Sequence, residues 1–323
     1  MQRILAADIG GTYSRFGFFE LLGEADEPRL LSVIRLPTQE SESLTALLEL
    51  LFSEQRPFAA SSCDLAVLAV PGPVQGRFCR PPNIKWNIDL YEITKVGLGR
   101  GALLNDFAAQ AFASRSRAVR DARVLQASRS DAQITAGGTV AVIGAGTGLG
   151  HCALVPDGRG GYLAVPSEAG HVAFPFVGDK EHAYGEYVRR ITNLAYCHGD
   201  AVVSGSGLSR LHAFLTGEVL TPAALSPRLP NYPGTVEWFA RFYARACRNY
   251  ALSVLSLGGV YVSGGVAAKN PMLVEHPAFL EEFRLSPSHD DLLSGLPVLL
   301  NLNEDSGVFG AAIFGAQRLR RRA

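Results

Sequence analysis

The sequence predicts an α/β protein built from two similar halves, and two observations carry that prediction. The opening pattern in "ILAADIGGTYSRFGFFEL" is an apolar strand, a glycine-threonine turn and a second apolar strand; it returns from Val140 as "VAVIGAGTGLGHCALV". Internal self-similarity of this kind marks a repeated architecture. Around both copies, short runs of strand formers alternate with segments of helical period. The 323 residues, 47% of them hydrophobic, suffice for two domains with separate cores.

In chain order, the first segment reads as a β-hairpin turning through Gly10, Gly11 and Thr12. "SESLTALLELLFSE" has the spacing of an amphipathic helix, and "CDLAVLAV" is a buried strand ended by the turn "PGPVQG". A short helix around "LYEITKVG" leads to the strand "GALLND", which runs into the helix "FAAQAFASR". After the second hairpin, residues 152 to 185 read as irregular. Helical segments are expected at 186 to 197, 206 to 216 and 235 to 258, with the proline-bearing "TPAALSPRLPNYPGT" as a surface loop between helices. "GVYVSGG" is a strand, and "GVFGAAIFGAQRLRRR" a closing helix.

Composition excludes several classes of function. Lysine plus arginine and aspartate plus glutamate number 30 each, so there is no charge bias toward nucleic acid or an anionic membrane. No apolar stretch is long enough to span a bilayer. "MQRILAADIGG" enters a strand without the h-region and cleavage site of a signal peptide, so a cytoplasmic location is expected. The five cysteines (Cys63, Cys79, Cys152, Cys197, Cys247) are odd in number and scattered without a Cys-x-x-Cys pair, which argues against a disulfide framework or a zinc knuckle.

The chemistry-bearing segments are few. In "ADIGGT", Ala7 to Thr12, the glycine turn points backbone N–H groups into one concavity and Thr12 adds a hydroxyl, which suits a phosphate; an ordinary hairpin turn is the plainer reading. Asp8, in an otherwise apolar strand, is placed to hold the magnesium that accompanies a nucleotide, directly or through water. The second turn, "GAGTGLGH", fails the dinucleotide fingerprint: counted from Gly144, Leu149 stands where the last glycine belongs, and a strand follows in place of a helix. No G-x-x-x-x-G-K-[ST] loop is present either. Two strand-turn-strand loops remain, one per half, able to grip a phosphate chain from both sides. A third turn at Gly264 and Gly265 either faces the nucleotide or simply joins a strand to a helix. Asn105 and Asp106 lie where a strand becomes a helix, so they read as a cap or as a carboxylate able to take a proton from a hydroxyl. In "VPSEAGHVAF", Glu168 and His171 sit three residues apart among small and apolar neighbours, fit for a metal, a general base or a ligand rich in hydroxyls.

The ordered set "ADIGGTYSR", "NIKW", "LLNDFAAQA", "GAGTGLG", "SEAGH", "VVSGSGL" and "VSGGV" resembles the bacterial ATP-dependent glucokinases of the actin and hexokinase superfamily. The resemblance covers nearly the whole chain. It implies two duplicated actin/hexokinase-like, ribonuclease H-like α/β domains with the active site in the cleft between them. The expected boundaries are a smaller domain at 1–108, joined by a C-terminal helix at 306–322, and a larger one at 109–305. It further implies phosphorylation of D-glucose at O6 by ATP with Mg²⁺. Ala7, Asp8, Ile9, Gly10, Gly11 and Thr12 become the first phosphate loop, and Gly144, Gly146, Thr147 and Gly148 the second, with Gly264 and Gly265 near the nucleotide. Asp106 becomes the base, and Asn105, Glu168, His171 and Asp200 the remaining sugar ligands. Asp200 and Tyr13 depart from the family, which has glutamate at the first position and usually Asn or His at the second. The zinc-binding cysteine motif of the related sugar-kinase and repressor group is absent. Small-molecule partners and a homodimer are expected, with the helices near 206–216 and 235–258 as its interface. A kinase for another hexose would keep these motifs, and a non-catalytic sugar sensor would usually add an N-terminal DNA-binding segment.

Overall fold

The computed structural model describes residues 1–23, 27–129 and 137–321, so Arg322 of the expected closing helix lies outside the described residues. The chain falls into two compact units: Met1–Arg120 with Asp157–Ala164 and Asn303–Ala323, and Asp121–Pro156 with Val165–Leu302.

In the first unit the apolar run of Gln2–Ile9 (β1) is fully buried from Ile4 to Ala7, as in a strand covered on both faces. β1 pairs antiparallel with Tyr13–Leu21 (β2) and parallel with Leu65–Val70 (β4), which is buried at every position. Between them come Arg29–Pro37 (β3), antiparallel to β2, and the helix Leu44–Phe52 (α1), capped by the Ser43 hydroxyl, which accepts from the Ala46 N–H. β3 was not expected: it is an edge strand and most of its residues are only half-buried, so it shows no period. Val74–Gln75 (β5), Phe78–Cys79 (β6) and Ile88–Asp89 (β7) form a small separate sheet, and "LYEITKV" is a 3-10 helix. Gly101–Asn105 (β8) pairs parallel with β4 and runs into Asp106–Ala113 (α2). The main sheet has the order β3-β2-β1-β4-β8, and the C-terminal helix Ser306–Arg320 packs on it and on α2.

The second unit contains Arg123–Gln126 (β9), Val140–Ala145 (β10), Leu149–Pro156 (β11), the end of Tyr162–Ser167 (β12), Val260–Ser263 (β13) and Val298–Leu300 (β14). The sheet order is β12-β11-β10-β13-β14-β9. β10 is antiparallel to β11 and parallel to β13, which is parallel to β14. The steps β2-β1-β4-β8 and β11-β10-β13-β14 therefore repeat each other, and the duplication expected from the two glycine-threonine turns is present.

The segment expected to be irregular is ordered. β11 runs on to Pro156, β12 follows, and Gly178–Thr192 is a helix whose charged sequence hides its narrow buried face of Tyr184, Gly185 and Val188. "TPAALSPRLPNYPGT" is likewise a short helix, Pro222–Leu225, followed by a 3-10 segment, Ser226–Asn231. Proline at a first helical position starts such turns, and Leu225 and Leu229 anchor them in the core. The long helix Pro233–Ser253 directs most of its apolar surface into its own unit's core. No described helix is long and apolar enough to cross a membrane.

Candidate active site

In the first unit β1 leads to the turn at Gly10–Thr12. Ala7 and Ile9 are buried, the Gly10 N–H donates to the Tyr13 carbonyl at 3.1 Å, and the Thr12 carbonyl accepts from the Thr38 N–H at 2.9 Å. The "NIKW" segment lies against this turn, since a Cβ on Gly11 would stand 2.9 Å from the Asn83 carbonyl oxygen. The Trp86 indole N–H anchors the segment to the Ser41 carbonyl at 2.8 Å. Tyr13 is exposed, with the Arg35 guanidinium 4.0 Å from its ring centroid.

Asp8 is paired through its backbone with β2 and β4, and its carboxylate has no hydrogen-bond partner among the described residues. Desolvation pushes its carboxyl up to about 6, Arg15 opposes the shift and Asp305 adds to it. A desolvated carboxylate beside a turn of backbone N–H groups fits a cation held directly or through water. The raised value also has a consequence for stability. Below about pH 4 the group is neutral in both states. As pH rises through the interval from the ordinary value of 3.8 to about 6, the unfolded chain ionises first and stability is lost. Above that window the loss is constant, of order 2–3 kcal/mol. Asp8→Asn is therefore expected to raise the melting temperature by several degrees near pH 8 and to change it little near pH 4. Equal shifts at the two pH values would show that no buried charge is being relieved.

Asn105 and Asp106 divide two tasks. Asn105 is the helix cap: its Oδ1 accepts from the Phe107 and Ala108 N–H groups at 3.0 and 3.2 Å, and its Nδ2 donates to the Gly72 carbonyl at 3.1 Å. Asp106 is the first residue of α2, and its Oδ1 accepts from the Phe107 N–H at 2.9 Å. A negative charge is favoured at that end of a helix. Burial first, and the Asp106 charge second, push the Cys79 thiol above its usual range.

In the second unit the turn between β10 and β11 holds Gly146, Thr147 and Gly148, whereas Gly144 lies within β10, paired with Gly150 on one side and Ser263 on the other. The Gly146 N–H donates to the Gly148 carbonyl at 2.8 Å, and the Gly146 carbonyl accepts from the Gly205 N–H at 2.9 Å. The third turn is folded against this one. Gly264 has φ +91°, and a Cβ there would lie 2.6 Å from the Ala145 carbonyl oxygen, so both conformation and space demand glycine. Tyr243, which sequence reasoning missed inside an amphipathic helix, joins the two turns: its hydroxyl accepts from the Ala145 N–H at 2.9 Å and donates to the Ser263 carbonyl at 3.1 Å.

Glu168, His171 and Asp200 come together in the same unit. Glu168 follows β12 and precedes a 3-10 turn, Ala169–His171, in which the His171 N–H donates to the Glu168 carbonyl at 2.9 Å. His171 Nε2 stands 3.9 Å from Glu168 Oε2 and 3.8 Å from Asp200 Oδ2. The other Asp200 oxygen, Oδ1, accepts from the Leu149 N–H at 2.8 Å, so the carboxylate ties the second glycine turn to the histidine. Gly148 permits this approach, since a Cβ there would meet Asp200 Oδ2 at 2.7 Å. The Glu168 and His171 side chains are 72% and 59% exposed and Asp200 is 22% exposed, so two groups face solvent while the third is fixed. Two neighbours escaped sequence reasoning. Tyr196 donates its hydroxyl to the His171 carbonyl at 2.9 Å, and the His198 ring centroid lies 5.3 Å from that of His171.

Comparison with known proteins shows the family and the fold. A family described as Glucokinase matches residues 5–318. A curated glucokinase of Nitrobacter hamburgensis is 30% identical, covering 94% of each chain, and one of Synechocystis sp. is 28% identical, covering 97% of this chain and 98% of the other. The solved glucokinase of an Antarctic psychrotroph superposes with a TM-score of 0.81 at 24% identity, covering 97% of this chain and 98% of its own. A ROK family glucokinase of Streptomyces griseus, solved with glucose and AMPPNP, gives 0.56 at 19% identity over 99% and 100%. At these identities the structural matches speak for the fold.

Proposed function

Because the chain belongs to the glucokinase family, we propose that its glucose kinase reaction, ATP and D-glucose to ADP and glucose 6-phosphate, runs through the residues described above. The observation that carries the reading is Asp200, which hydrogen-bonds the second glycine turn with one carboxylate oxygen and faces His171 with the other. A phosphate loop and a set of hydroxyl-binding side chains are thereby built against each other. Glu168, His171 and Asp200 accept from and donate to ring hydroxyls, and Asn105 has one amide hydrogen left to add after its capping bonds. Asp106 accepts the proton of the 6-hydroxyl as O6 forms its bond to the γ-phosphorus and the bond to the ADP oxygen breaks. The backbone N–H groups of Gly11 and Thr12 and of Thr147 and Gly148 hold the phosphate chain in line, while those of Gly10 and Gly146 close their own turns. Asp8 would hold Mg²⁺, which when bound offsets phosphate charge. A homodimeric enzyme in the cytoplasm completes the proposal.

A coupled assay over a panel of hexoses and phosphoryl donors tests it. Turnover is expected to be fastest with glucose and ATP, to require Mg²⁺, and to give the 6-phosphate. Faster turnover of N-acetylglucosamine or mannose, or none of any hexose, would refute the assignment.

A further inference from the structure

We propose that His171, His198 and Asp200, with Glu168 beside them, form a binding site for a zinc-like divalent cation. The inference rests on the reading of this cluster as the sugar site only in its consequence, which is that metal and glucose exclude each other.

Two imidazoles and a carboxylate converge here, and one ligating atom from each lies within 4.8 Å of the others. Donors around a tetrahedral zinc ion stand about 3.3 Å apart, given metal–ligand distances near 2.0–2.1 Å. His171 Nε2 and Asp200 Oδ2 are already at 3.8 Å, so small torsional shifts close the set. The side chain free to make them is the exposed His171, and Glu168 Oε2, 3.9 Å from the same nitrogen, is near enough to join as a further ligand.

The surrounding hydrogen bonds suit a ligand set. The Leu149 N–H holds Asp200 Oδ1 while Oδ2 faces His171, and the Tyr196 hydroxyl ties down the His171 backbone. Outer bonds of this kind orient metal ligands. His198 is held beside His171 by the backbone: its residue bridges Ala173, and the Gly199 N–H donates to the Val172 carbonyl at 3.1 Å. Its Nδ1 is buried and has no hydrogen-bond partner, a group for which the described fold supplies no use. Nitrogen donors also select the metal. Mg²⁺ keeps to oxygen ligands and sheds water reluctantly, whereas imidazole suits zinc, cobalt and nickel. The magnesium that accompanies ATP therefore leaves this cluster free, while a low level of a transition ion occupies the side chains assigned to the sugar.

The test uses chelator-treated full-length protein titrated with Co²⁺ alone, followed by its visible absorption, with Zn²⁺ binding measured by calorimetry. Cobalt bands are expected, with affinity at least about tenfold weaker in His198→Asn and in His171→Gln. His171 is exposed, so the second variant keeps the test valid if the first fails to fold. Absence of bands, or bands unchanged in both variants, would overturn the proposal. Saturating glucose is expected to bleach the bands. Bands that depend on both histidines yet persist in glucose would uphold the metal site and count against the sugar assignment alone.

Discussion

Asp106→Asn is expected to lower kcat for glucose by roughly 10² to 10⁴ while leaving glucose affinity nearly unchanged. The substitution preserves shape and keeps an oxygen to accept from the Phe107 N–H. Because Asn105 does the capping, α2 keeps its start. What the variant loses is the capacity to take a proton. A fall in kcat with little change in KM is the signature of an interaction made in the transition state alone, and calorimetric glucose binding with an unchanged melting temperature completes the check. Near-normal turnover would leave Asp106 as an ordinary first-turn helix residue.

Asp200→Ala is expected to raise KM for glucose by roughly 10- to 150-fold, since a hydrogen bond to a charged group is worth about 1.5–3 kcal/mol. The change in kcat should be smaller, because the resemblance to the glucokinases implies that Asp200 meets the sugar at its anomeric end, remote from the transferred group. Aspartate is one methylene shorter than the family's glutamate. The close approach at Gly148 and the bond to Leu149 show how the shorter side chain is held at the site. The penalty should be smaller with 1-deoxyglucose, which lacks the hydroxyl assigned to Asp200. Equal penalties with the two sugars would mean that Asp200 acts only by holding the second glycine turn, as a positioning residue without direct contact to the ligand.

Much of this was legible in the sequence, for reasons that differ from element to element. The strands Leu65–Val70 and Val140–Ala145, and β1 from Ile4 to Ala7, carry unbroken apolar runs because the sheets bury them on both faces. β3 and β12 are edge strands with mixed burial, and Gly178–Thr192 buries only a narrow stripe, so neither a period of 2 nor one of 3.6 stands out. The dipeptide Asn105-Asp106 announced a helix start, but only the side-chain geometry separates the cap from the carboxylate beside it. Glu168 and His171 were visible as polar residues in a small apolar segment. His198 was not, because its nearness to His171 comes from a backbone bridge across 25 residues that no local pattern encodes. Tyr243 was hidden in the same way, as one aromatic among several on a helix whose fold-wide burial masks a single polar task.

The most direct measurement is a crystal structure of the chain with glucose and AMPPNP. The account predicts one glucose whose O6 lies within hydrogen-bonding distance of the Asp106 carboxylate, about 2.6–3.2 Å, while its ring hydroxyls engage Glu168, His171 and Asp200. A glucose bound to those three residues with O6 turned away from Asp106, or bound elsewhere, would contradict it.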